Sequence, residues 1–488
     1  MTPDAHVASL LAALAGRQDG ALRASLAMPE VMAHLDALTD AADSADEALR
    51  SAGLKALFAG LVEPLNDSFS AAGRALYAEL FPRVIWRSAS RVPALAETLA
   101  AAGVTSCAQL LERYRGARQD SSGTPGPAQL PVTAPTAIAL LSRVTIGADI
   151  LLASVALQRL RDRFPDARLH LIGDGKLQGL FGGMPGVVVE AVPYPRRGPL
   201  HERLAVWLAV RAAITRSGAQ LVIAPDSRLD QLGILPVIDA DRYVLWENLQ
   251  TGSKPASLAW LLDRWLASRL GLPAEPARLP RLALDAPTAA LSQRLGLALG
   301  HGPWAAVKFD HGGNPAKALP RAAELAILGR LRAQGWRVLL DRGFGAAELA
   351  NSDALVAQWG QAVTDIDETG TGLGAPLVQA APGVWAGAAV VRFHGSIAGW
   401  AALVCQCRFA LSYDSVGHHL AAAAAVPVVV AFTGYADPAF PLAWQPLGAA
   451  PVTVINLTED EKGRRECWQR VLDAIPHARD AHAPRECP

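Results

Sequence analysis

Over residues 1 to about 118, apolar positions recur at spacings near three and four, with few β-branched residues among them. The stretches VASLLAALAG, VMAHLDALTDAADSADEALRSAGLKALFAGL, SFSAAGRALYAELF and SCAQLLERYRGAR carry this period and predict amphipathic helices. Ser106 is placed to cap the last of them. From Ala137 the pattern changes to short apolar runs: AIALL, ARLHLI, GVVVEAV, AQLVIAP and RYVLW. Helical stretches such as DILLASVALQRLRDRF and LHERLAVWLAVRAAITRSG separate them. Strands alternating with helices mean βαβ units and a parallel sheet. The pattern relaxes near residues 283–302 and resumes with PWAAVKFD, WRVLLD, AVVRF, RFALS and VPVVVAF.

The expected class is therefore α/β, a pair of Rossmann-like domains preceded by an all-α domain. The expected boundaries are a helical domain over 1–118, a Pro/Gly/Ser/Thr linker over 119–135, and α/β domains over 136–290 and 291–488. The last domain closes with a helix over about 459–475. Two such domains face each other across a cleft lined by the carboxyl ends of their strands, where ligands bind.

Candidate chemistry gathers at polar turns that follow these strands. In SRVTIGADILL, Asp149 reads either as a helix N-cap or as a carboxylate at the cleft edge that takes a proton from a hydroxyl. In VKFDHGGNPAKALP, a strand, glycines, Asn314 and Lys317 form either a plain turn or a phosphate-holding one. The spacing is not that of a Walker A loop. Glu348, in GFGAAE, complements a helix dipole or meets a ribose. Ser396, in FHGSIAGW beside His394, is first of all an N-cap candidate. In SYDSVGHHLAAAAAVPVVVAF, Asp414, Ser415, Gly417 and His419 cross a strand-to-helix turn whose amides suit a diphosphate.

Composition narrows the classes. With 45 basic and 45 acidic side chains there is no electrostatic footprint for nucleic acid. No apolar run reaches the roughly 18 residues needed to cross a bilayer, so a cytoplasmic protein is expected, with peripheral membrane contact left open. Five scattered cysteines fit neither zinc nor redox spacing, and Cys405 and Cys407 read as buried thiols of a reducing compartment. No metal or cofactor is expected. His6 and His34 stand isolated in the helical front, with surface or packing roles.

The motif DSVGHHLAAAAAVPVVVAFTGYADP resembles the D-[ST]-G-x-x-H-L signature of glycosyltransferase family 9, the ADP-heptose:lipopolysaccharide heptosyltransferases. TIGADILLASVALQRLRDRFPDARLHLIG is similar to that family's G-D segment, and HGGNPAKALP, GWRVLL and GFGAAE to its later pieces. The resemblance covers about residues 137–458 and omits the helical front. Ala148 is inserted beside Asp149, Val416 replaces a glycine, Leu319 stands where the family prefers Trp, and the first helix lacks its proline. The resemblance implies a GT-B fold and an inverting, metal-independent transfer from a nucleotide-diphosphate sugar, ADP-sugar favoured. The acceptor would be a glycan, a lipid-linked sugar or a protein. It implies Asp149 as general base, and Asn314, Lys317, Glu348, Ser396, Asp414, Ser415, Gly417 and His419 around the donor. The alternatives are a catalytically silent binding protein whose helical front mediates contact, and a nucleotide-sugar epimerase of similar architecture.

Overall fold

The computed structural model describes the chain except residues 17–18, 27, 123–129, 131, 143–144, 196, 226–233, 248–255, 313, 369–374, 378–379, 436 and 482–488. Most of the expected linker thus lies outside the described residues, and the helix Cys107–Ser122 runs into its start. The chain forms two compact units. The first comprises Met1–Val144, Ala156–Gly175 and Val188–Pro276; the second comprises Thr145–Val155, Lys176–Val187 and Ala277–Pro488.

The first unit holds strands β1 (Ala137–Leu141), β2 (Arg168–Gly173), β3 (Val187–Ala191), β4 (Leu221–Ala224) and β5 (Tyr243–Leu245). They form an all-parallel sheet in the order β3-β2-β1-β4-β5. Val187 itself marks the edge of this unit. Alternate residues Ala139, Leu141, Val222, Ala224 and Leu245 on one face share a continuous core with Leu35, Leu57, Tyr77, Phe81 and Leu110 of the front helices. The front helices and this sheet therefore share one core. A parallel sheet needs cover on both faces, and these helices supply it for one. Asp43 fixes the packing further, accepting from the His201 amide at 2.7 Å. Ser106 caps its helix as expected, accepting from the Gln109 amide at 3.3 Å.

The second unit contains β6 (Trp304–Lys308), β7 (Arg337–Asp341), β8 (Thr364–Asp367), β9 (Ala375–Pro376), β10 (Val390–His394), β11 (Phe409–Tyr413), β12 (Val428–Phe432) and β13 (Val452–Asn456). Their order is β13-β12-β11-β6-β7-β10-β8-β9, again parallel throughout. Five of these strands match the apolar runs of the sequence. The polar β8 (TDID), the two-residue β9 and the half-exposed edge strand β13 lack such a run and escape a reading based on burial. The expected final helix is broken at Gly463 into Glu459–Lys462 and Arg465–Asp473. The latter buries Trp468, Val471 and Leu472 in the core with Ile327, Leu331 and Trp336.

The α/β class with two Rossmann-like parallel sheets and a helical front is what the chain has. Cys405 and Cys407 are both buried, and Cys107, Cys407 and Cys467 are free thiols. Among the described residues, no helix is long and apolar enough to cross a membrane.

Candidate functional site

The strand order of the second sheet reverses between β6 and β11. From β6 the chain proceeds to β7 on one side; from β11 it proceeds to β12 on the other. Turns leaving the carboxyl ends of two such strands diverge and open a crevice, the usual ligand site of open α/β sheets. Lys308, the last residue of β6, pairs in register with Ser412 of β11. Both turns therefore start at the same level.

Beyond β11, Ser415 is the N-cap of the helix Val416–Ala423, with extended backbone and a side chain that accepts from the Gly417 amide at 3.4 Å. The run of alanines packs this helix tightly; Leu420 through Ala423 are all buried. Gly417 sits where no side chain fits. A Cβ there would lie 2.6 Å from Ser412 Oγ and 2.9 Å from Lys308 Cδ. The helix start is thus pressed onto a buried lysine. Gly417→Ala should destabilise the protein by about 1–3 kcal/mol through this overpacking. A thermal melt tests it; an unchanged midpoint would show that Lys308 and Ser412 can yield.

Beyond β6, the turn Pro315–Lys317 brings in a second cation. Asn314 caps it, accepting from the Ala316 amide at 3.1 Å. Lys317 Nζ lies 2.5 Å from Asp414 Oδ2 and 3.4 Å from the Asp414 carbonyl oxygen. Lys317 and the helix start near Gly417 therefore meet in one place. Asp414 is 6% exposed.

Two histidines follow. His418 Nδ1 lies 3.0 Å from the Tyr413 carbonyl oxygen, a contact internal to the turn. His419 is 5% exposed, and its Nδ1 is buried without a hydrogen-bond partner among the described residues. Burial first, then His418 and Lys317, hold its imidazole well below the ordinary value, so it is neutral near pH 7. Leaving a buried polar atom unsatisfied costs about 1–3 kcal/mol, a cost a bound polar group removes.

The helix start that precedes Asp149 approaches the late helix from another part of the chain. The helix it belongs to starts after Thr145, so Asp149 is not the N-cap; it has helical dihedrals and opens a π-helical turn, Asp149–Ala153. Gly147 lies directly against the start of the late helix: a Cβ there would stand 3.1 Å from His419 Cδ2 and 3.4 Å from Val416 Cα. Asp149 itself is 0% exposed. The expected carboxylate at a cleft edge is, in this structure, a buried one.

Two further expected donor residues, Glu348 and Ser396, stand at helix starts. Glu348 Oε2 accepts from the Phe344 amide at 2.8 Å and the Gly345 amide at 3.2 Å, closing the start of the helix Ala346–Trp359. Ser396 caps the helix Ile397–Val404, and both its amide (2.7 Å) and its hydroxyl (2.8 Å) donate to Glu368 Oε2. The structural role considered for each is present.

The sequence reading missed a charge cluster behind these turns. Lys308 Nζ pairs with Asp341 and lies 3.4 Å from Asp310 Oδ2. Burial alone would lower this ammonium, but Asp341 and Asp310 outweigh it and hold Lys308 above its ordinary value. Asp310 sits at about 2: burial opposes ionisation, while Lys308 and hydrogen bonds from Glu348 and the Gly312 amide prevail. Glu348 is pushed up by burial and by Asp310. The available signal was a lysine closing an otherwise apolar strand, where burial is tolerated only with partners.

No family model matches the sequence, and no curated protein matches it. Among solved structures, the fold is similar to that of the glycosyl transferase family 9 protein from Veillonella parvula DSM 2008. That likeness is 16% identical, covers 72% of this chain and 92% of that one, and has a TM-score of 0.49. E. coli ADP-heptose lps heptosyltransferase II is also 16% identical, covering 69% and 96%, with a TM-score of 0.45. E. coli heptosyltransferase WaaC with ADP is 16% identical over 69% and 98%, with a TM-score of 0.46. At such identity the likeness is one of fold alone.

Proposed function

We propose that the chain is an inverting glycosyltransferase that takes a sugar from a nucleotide-diphosphate donor. The observation that carries this reading is the meeting of Lys317, Asp414, the amides at the start of Val416–Ala423 and the unpartnered Nδ1 of His419 at the reversal point of the second sheet. A cation beside a helix start suits a diphosphate. Asp414 suits sugar hydroxyls, and His419 gives a neutral polar contact to the same ligand.

In the reaction the acceptor oxygen bonds to the anomeric carbon as the bond from that carbon to the phosphate oxygen breaks. The acceptor proton passes to Asp149, and the nucleoside diphosphate leaves with the bonding pair. Lys317 and the amides stabilise the charge that grows on the leaving oxygen. ADP-sugars, heptose among them, are the first donors to try, because the late sequence motif resembles that of family 9. A glycan of the lipopolysaccharide type is the first acceptor class.

The burial of Asp149 favours a second reading, a silent relative that binds a nucleotide-sugar without transferring it. The transferase reading requires that the cover over Asp149 opens to an acceptor. A thermal-shift panel of ADP-, GDP-, UDP- and dTDP-sugars, paired with a transfer assay, separates the cases. A donor at a hundred times its dissociation constant adds about 2.7 kcal/mol of stability. Stabilisation with transfer supports the enzyme, stabilisation without transfer the silent relative, and no stabilisation by any donor overturns both.

A further inference from the structure

Phe344 is a large aromatic side chain left 64% exposed in the loop that leaves the carboxyl end of β7. Burying a Phe side chain is a substantial hydrophobic gain, which this fold forgoes at a well-anchored position. The Phe344 amide donates to Glu348 Oε2 at 2.8 Å, and His394 Nδ1 lies 3.0 Å from the Gly343 carbonyl oxygen. The loop is thus held from both sides while its ring stays open. The ring's neighbours are polar as well as aromatic. The His394 imidazole stacks beside it with centroids 6.2 Å apart and planes 26° apart, and Lys176 Nζ stands 5.7 Å from its centroid. Such surroundings suit a heteroaromatic ring bearing anionic groups better than an apolar protein surface.

The position is continuous with the site already described. Phe344 is bonded to Glu348, Glu348 to Asp310, and Asp310 faces Lys308, whose side chain lies against Gly417 at the start of Val416–Ala423. All of these residues belong to the second unit. We infer that Phe344 is the shelf on which the base of the nucleotide donor stacks, with Lys176 and His394 bordering it. This inference rests on the nucleotide-diphosphate reading above. It adds the element that would separate a nucleotide from a bare diphosphate.

The test is calorimetric titration of the full chain with ADP and, separately, with inorganic pyrophosphate. Phe344→Ala should weaken ADP by roughly 5- to 150-fold, the size of one base–aromatic stack, and leave pyrophosphate unchanged. Phe344→Trp should retain ADP affinity. Because Phe344 is mostly exposed, the melting midpoints of both variants should stay near that of the native protein, which controls for misfolding. If Phe344→Ala leaves ADP affinity intact, or weakens both ligands equally, the shelf is wrong while the diphosphate site stands. If the native protein binds pyrophosphate but not ADP, the shelf is again wrong. If it binds neither, the diphosphate reading fails and takes the shelf with it.

Discussion

Asp149→Asn should cut transfer by about 10²- to 10⁴-fold, the usual contribution of a positioned general base, and leave donor affinity little changed. Asn matches Asp in size and can still hydrogen-bond, so the π-helical turn Asp149–Ala153 has no steric reason to rearrange. It cannot accept the acceptor's proton. Because the carboxylate is fully buried, the variant's melting midpoint must be measured beside its kinetics. Transfer and donor binding lost together, with the fold intact, would remove Asp149 from the role of base and make it a support for the helix start that Gly147 touches. Transfer unchanged would favour another proton acceptor altogether.

This test matters because the position of Asp149 is the part of the site the sequence expressed least clearly. A glycine and an aspartate before an apolar helical run have the pattern of an N-cap, and the structure has Thr145 at that boundary instead. The difference comes from the π turn, which a hydrophobic period near 3.6 does not reveal over five residues. The turn after β11 was far more legible. A serine, a glycine and a block of alanines after an apolar strand can hardly pack any other way, and Ser415 indeed caps a short buried helix. Lys317 was readable as a cation on a turn, but its partner Asp414 lies 97 residues away and could be paired with it only through the order of the strands.

The same contrast holds for the fold. Strands buried on both faces announce themselves as apolar runs, so β1, β6, β11 and β12 were evident. Nothing local marks the surface an amphipathic helix will cover, and the helices before residue 118 turned out to share the first sheet's core. Charges buried in pairs are hidden for a related reason. Lys308 shows itself only as a lysine ending an apolar strand, and its partners Asp310 and Asp341 are identified only once the sheet brings them together.

The second large effect concerns Lys317. Lys317→Ala should lower kcat/KM by about 10²- to 10³-fold, corresponding to about 2.7–4 kcal/mol of lost stabilisation of the leaving diphosphate. Donor affinity should fall as well, for two reasons. A cation is gone, and Asp414, only 6% exposed, remains as an uncompensated carboxylate that would repel an incoming diphosphate. A double-mutant cycle separates the two contributions. If Lys317 acts on the ligand, Asp414→Asn added to Lys317→Ala relieves the repulsion and recovers part of the nucleotide affinity, while transfer stays low for want of the cation. If Lys317 serves only to neutralise Asp414, the double variant recovers transfer along with affinity. Nucleoside diphosphate affinity by calorimetry and single-turnover transfer, measured on the four proteins of the cycle, distinguish these outcomes. Unchanged affinity in Lys317→Ala alone would place the diphosphate away from the junction of β6 and β11.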